Sequence, residues 1–179
     1  TTFGTPLDGT YAGNISGTGG LTLDGHGTLT LTGANSYTGG TSILQGTLAV
    51  AGDTSLGLGT LLLDGGTLRA DGGLTFAAPR PIQTGHSGGT LNVSDGVTVM
   101  IDSPITGTGT LFKDGAGLMF LNASPTNSGL VQINAGTLAL GAGTLTSSQL
   151  LVSGGFLDLN GHTWNTPLAV HAGGVANSS

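Results

Sequence analysis

Apolar and polar side chains alternate along this chain in short bursts. Thr28-Leu29-Thr30-Leu31-Thr32 is one burst and Thr47-Leu48-Ala49-Val50 another, each opened by Gly-Thr-Leu and followed within a few residues by another glycine. A period of two marks a β-strand with one buried face. It turns Leu29 and Leu31 inward and Thr28, Thr30 and Thr32 outward. The Gly-Thr-Leu tripeptide begins at Gly27, Gly46, Gly59, Gly66, Gly89, Gly109, Gly136 and Gly143, so the pattern predicts many short strands separated by turns. Asp64-Gly65, Asp71-Gly72, Asp114-Gly115 and Asn160-Gly161 offer the positive φ angles that corners between strands need.

The bursts recur. Gly27 to Gly46 is 19 residues, Gly46 to Gly66 is 20, Gly66 to Gly89 is 23 and Gly136 to Gly155 is 19. A strand-only period near 20 fits a solenoid, in which no coil buries its own apolar row and each stacks on the next. The expected fold is all-β, a parallel β-helix (β-solenoid) of roughly eight to nine coils forming a rod about 40 Å long. Its core should be inward aliphatic rows containing Leu29, Leu31, Leu48, Val50, Leu68, Leu91, Leu138 and Leu157. A longer period is superimposed. Shifting the chain by 90 residues aligns 17–50 with 107–140 without a gap, and 14 of those 34 positions are identical. A shift of 89 sets Leu61-Leu62-Leu63-Asp64-Gly65-Gly66 over Leu150-Leu151-Val152-Ser153-Gly154-Gly155.

Composition narrows the function. Among 179 residues there are 36 Gly, 28 Thr and 27 Leu, and charged residues make up 7% with no Glu. Soluble helices draw their wet faces from Glu, Lys, Arg and Gln, so a helical protein is excluded, while the Leu content is too high for a solvated coil. Net charge is −6, with only Arg69, Arg80 and Lys113 basic, which excludes nucleic acid and disfavours an anionic membrane surface. Glycine interrupts every apolar run well short of the roughly 18 residues that span a bilayer. No cysteine is present, so disulfides and thiolate chemistry are excluded. The chain opens on Thr1 without a Met or a leader, the expectation for a processed or excised piece. Residues 1–179 read as a single segment of something longer.

No catalytic, cofactor or metal site is expected. Asp24, Asp64, Asp71, Asp95 and Asp114 mostly precede Gly, where Asp forms turns, and the three cations are scattered along the rod. His26, His86, His162 and His171 share no ligand spacing. The two glycine-rich phosphate motifs and the calcium nonapeptide are missing. A flat array of outward Thr would suit an ice face, but Thr28, Thr30 and Thr32 align with Leu118, Phe120 and Asn122 in the second copy.

That substitution gives the candidate contact patch. At the 90-residue shift Phe112, Leu118 and Phe120 replace Thr22, Thr28 and Thr30, so three large apolar groups should face outward on one wall. Either a loop covers them, with Pro125 to Ser128 the candidate cover, or they form an interaction surface for a host or self-association partner.

Residues 17–50 carry a resemblance. Gly17-Thr18-Gly19-Gly20-Leu21, then Gly25-His26-Gly27-Thr28-Leu29-Thr30-Leu31-Thr32-Gly33-Ala34-Asn35-Ser36-Tyr37-Thr38-Gly39-Gly40-Thr41, closing with Gly46-Thr47-Leu48-Ala49-Val50, is similar to the passenger-associated transport repeat of bacterial autotransporters. In the second copy Asn35, Ser36 and Tyr37 become Pro125, Thr126 and Asn127, and the basic residue usual before the family's first Gly-x-Gly is Leu23 in the first copy and Lys113 in the second. The resemblance implies a right-handed β-helix from a secreted Gram-negative passenger, exported through a C-terminal outer-membrane barrel of the same polypeptide and displayed at the cell surface. It further implies a stalk or scaffold of an adhesin. The alternative is the accessory β-helix of a secreted enzyme, since related repeats also follow subtilisin-like protease domains.

Overall fold

The computed structural model describes residues 2–4, 8–77, 80–141, 150–163 and 168–178. The Gly-Thr-Leu at Gly143 lies outside them. Among the described residues the regular elements are short strands and one 3-10 turn, Asp53–Ser55. Strands pair in parallel with strands about 20 residues away, Leu29 opposite Leu48 and Leu48 opposite Leu68, so the chain winds into the parallel β-helix expected from its pattern.

Three walls enclose the core. The first holds Thr2–Gly4, Leu21–Asp24, Thr41–Ile43, Leu61–Leu63, Ile82–Thr84 and Ile105–Gly107. The second runs furthest, through Gly9–Tyr11, Thr28–Leu31, Thr47–Val50, Thr67–Ala70, Gly89–Val93, Leu111–Asp114, Val131–Ile133, Leu150–Val152 and Leu168–Val170. Nine stacked strands mean eight coil-to-coil steps, a rod of ~38 Å at ~4.8 Å per step. The third wall begins later, with Leu74–Phe76, Thr98–Ile101, Leu118–Leu121, Thr137–Leu140, Phe156–Asp158 and Gly174–Ala176.

Alternation sets the facing throughout. All eight expected core residues, Leu29, Leu31, Leu48, Val50, Leu68, Leu91, Leu138 and Leu157, are buried, and the register stacks them in ranks. Each buried Leu removes roughly 2 kcal/mol worth of apolar surface from water, and the parallel ladders satisfy the backbone of each strand on both sides.

Before Leu74 the third side is made of loops. The run Gly33-Ala34-Asn35-Ser36-Tyr37-Thr38 lacks alternation, yet it still bonds to neighbouring coils: Ser36 N–H donates to Ile15 O (2.8 Å) and Asn35 N–H to Thr54 O (2.7 Å). The buried Asn35 amide ties three coils together, accepting from Ile15 N–H (2.8 Å) and donating to Ser55 O (2.5 Å). Gly33 fits here because a Cβ would lie 2.1 Å from Gly13 O.

The 90-residue repeat does not return to the same wall. Leu21, Thr41, Leu61, Ile82 and Ile105 are successive partners on the first wall, four coils in 105 − 21 = 84 residues. The remaining six residues carry the chain around one corner, from Ile105 to Leu111. Leu21–Asp24 therefore lies on the first wall and its copy Leu111–Asp114 on the second, while Thr28–Leu31 lies on the second and its copy Leu118–Leu121 on the third. The loop equivalent to 33–38 follows the same rule. Thr126 N–H donates to Ile105 O (2.8 Å) and Ser128 N–H to Gly107 O (2.9 Å), so this loop extends the first wall where its strands end.

Candidate contact surface

The wall shift corrects the expectation that Phe112, Leu118 and Phe120 share one wall. Phe112 faces outward from the second wall, between Thr90 and Gln132. Leu118 and Phe120 face outward from the third. All three are half-buried, and their neighbours Leu111, Met119 and Leu121 are buried. The Pro125 to Ser128 segment does not lie over Leu118 and Phe120, because it stacks on the first wall.

Residues that sequence alignment did not single out complete the third-wall surface. Register places Met100 beside Phe120, and Leu118 in one outward row with Thr98, Thr137 and Phe156. Met100 is 39% exposed and Phe156 55%. The signal was present, since alternation alone turns Met100 outward between Val99 and Ile101. Only the pairing puts it next to Phe120.

On the second wall Thr28, Thr47, Thr67 and Thr90 form an unbroken outward rank, ended by Phe112. The adjacent rank is mixed, running Thr10, Thr30, Ala49, Arg69 and Asn92. The regular Thr array is thus one row wide, for a different reason from the one the aligned copies suggested.

The sharpest departure from the sequence reading is Lys113. Its position follows Leu23 in the first copy, and it is fully buried, in the core rank between Leu91 and Ile133. Its three N–H donors all find carbonyls: Asp114 O at 2.8 Å, Gly115 O at 2.9 Å and Ala135 O at 3.1 Å. Burial pushes its pKa down to about 8, against a smaller raising effect of the Asp114 charge. The ammonium ties the corner 114–115 to the corner of the next coil.

The Asp residues do more than form turns. Asp8 accepts from Thr28 N–H (2.7 Å) and Asp64 from Ser87 N–H (2.8 Å), so each links two coils. Asp71 holds Arg69 through both carboxylate oxygens and accepts from Ser94 Oγ (2.8 Å), and the Arg69 hydrogen bond draws its pKa below the usual carboxylate range. Asp158 is lowered likewise by Ser178, which donates from its hydroxyl and its backbone N–H. His26, His86 and His171 are exposed, whereas His162 Nε2 is 2.5 Å from Gly141 O.

The passenger-associated-transport-repeat profile matches residues 21–50 and 111–140, the same two copies that the fold places one wall apart. The chain carries two passenger-associated transport repeats within its parallel β-helix. It is similar to the Adhesin BmaC autotransporter of Brucella suis biovar 1 (strain 1330), 40% identical over 123 residues, which cover 68% of this chain. The match spans 4% of that relative's length. No solved structure matches at a significant level. Each repeat thus supplies two strands, one loop wall and two further strands. The degenerate second loop keeps the role of the first, with buried Asn127 in place of Tyr37, its amide donating to Gly129 O (3.0 Å).

Proposed function

We propose that this segment is the rigid stalk of a surface adhesin, exported with a C-terminal outer-membrane barrel of the same polypeptide and held outside the cell. The observation that carries the reading is the second wall's unbroken stack of strands over a buried aliphatic core, in a chain whose repeats are of the passenger type and whose relative is named an adhesin. A rod whose strands pair with the coil before and the coil after has a persistent length and needs no disulfide. Such coils also suit emergence from a narrow pore, since each can fold on the one already formed.

The third-wall surface around Met100, Leu118, Phe120 and Phe156 is the part of the stalk we assign to contact, with a host surface or with the same stalk on another cell. Beads coated with the chain should clump or adhere, and Leu118→Ser with Phe120→Ser should reduce this severalfold while lowering the melting temperature by only a few degrees. A loss of stability with unaltered adhesion would return these residues to a structural role. For the stalk itself, proteolysis during refolding should give fragments stepped by about one coil; all-or-none protection of the whole segment would count against it.

A further inference from the structure

The third side changes from loop to strand at Leu74, and the stack is imperfect there. Below Leu74–Phe76 the preceding coil offers the turn Asp53–Ser55 in place of a strand. Both Asp53 carboxylate oxygens accept the Thr75 N–H, at 2.9 and 3.0 Å, supplying the acceptor that a strand would have given. Beside this junction a cavity of about 290 Å³ opens, lined by Ala34, Leu56 and Leu58 among others, with Asp53 and Arg80.

Arg80 is poorly served by its surroundings. Its side chain is 13% exposed, its Nε is buried without a hydrogen-bond partner, and Nη1 lies 3.9 Å from Asp53 Oδ1, beyond hydrogen-bond reach. Withdrawing a guanidinium from water without acceptors is costly, and the group that matches its planar fork is a carboxylate taken by two parallel bonds. Asp53 is committed to Thr75, yet at 41% exposure its oxygens keep lone pairs for O–H donors. The rest of the lining is Ala34, Leu56 and Leu58, with Leu56 buried and Leu58 56% exposed, beside the polar Asn35, Ser36 and Thr54. The cavity therefore asks for a carboxylate, a neighbouring hydroxyl and a C–H face on one compact body.

We propose that it binds a sugar acid of the uronate type, its carboxylate on Arg80, a hydroxyl on Asp53 and its ring against Leu56 and Leu58. The volume sits at the lower end of small-molecule sites, which run from roughly 300 Å³ upward, and so matches one ring. This goes beyond the stalk reading and does not depend on it, because binding is measured on the isolated chain.

The test is calorimetric titration of the 179-residue chain with glucuronate, glucose, acetate and a glucuronate-terminated disaccharide. Glucuronate should saturate with a Kd of about 1 mM, and glucose and acetate should bind about tenfold more weakly or worse. Arg80→Gln should weaken glucuronate about tenfold or more. Leu58→Asp should do the same by adding a negative charge at an exposed position, with an unchanged circular dichroism spectrum, and it carries the test if the Arg80 variant misfolds. Disaccharide affinity equal to that of the free acid supports a glycan end as ligand, and loss of it supports the free acid. The proposal is overturned by no saturable glucuronate binding, by equal binding of glucose, by an unaffected Leu58→Asp, or by tighter binding of a peptide C-terminus such as N-acetyl-leucine.

Discussion

The ring of Tyr37 lies where a side chain on Gly57 would have to be: a Cβ there would sit 2.3 Å from Tyr37 Cε2. Tyr37 is almost fully buried, its hydroxyl shares a 2.5 Å hydrogen bond with Thr41 Oγ1, and Leu58 N–H donates to its carbonyl at 2.8 Å. The one aromatic of the first loop wall is thus seated on bare backbone of the next coil. Gly57→Ala should destabilise the chain by about 1 to 3 kcal/mol through overpacking. Gly52→Ala, where a Cβ meets nothing within 4 Å, should stay within ~0.5 kcal/mol of the parent. Urea melts of both variants decide it, and equal effects would mean that the ring is not seated there.

Leu48 and Leu138 occupy core ranks on the second and third walls and are both wholly buried. Truncating either to Ala should cost about 2 to 5 kcal/mol. Two variants indistinguishable from the parent in denaturant would show the facing of the Gly-Thr-Leu strands to be wrong.

Lys113 makes stability depend on pH in a defined direction. Its folded pKa of about 8 lies below the ordinary value of 10.5, so between those values the unfolded chain holds more protons than the folded one. Stability should therefore rise as pH rises through that window and be lost as pH falls through about 8. Denaturation midpoints at pH 7 and pH ~9.5 should differ in the parent, with a much smaller difference in Lys113→Met. The variant removes the ammonium and keeps most of the volume, at the expense of three carbonyls left without a donor. A parent midpoint that falls toward alkaline pH would contradict the buried placement.

Phe120 and Leu121 are adjacent, yet one faces out and the other is buried. Leu121→Ser should cost several kcal/mol, since it leaves both a void and a buried hydroxyl, whereas Phe120→Ser should cost about 1 kcal/mol or less. Similar losses at the two positions would require a cover over Phe120 that the third wall does not show.

Local sequence was sufficient for much of this molecule because a strand's facing depends only on its own alternation. Leu29, Leu48, Leu91 and Leu138 are inward for that reason, and the period near 20 follows from strands too short to bury anything without a neighbouring coil. Alternation alone turns Lys113 inward, but the carbonyls that satisfy it include Ala135, 22 residues away, which only the stacking of coils brings to it. What the sequence could not determine is which wall each strand joins. That depends on how many residues each coil spends at its corners: Leu29 to Leu48 takes 19, Leu68 to Leu91 takes 23 and Leu74 to Val99 takes 25. Four such coils fall six residues short of the 90-residue repeat, the length of one corner, so the second repeat lies one wall beyond the first. Phe112 then parts from Phe120, Met100 comes beside it, and a cavity opens at Arg80, because coil-to-coil hydrogen bonding aligns strands by their position around the rod and takes no account of their ancestry in the repeat.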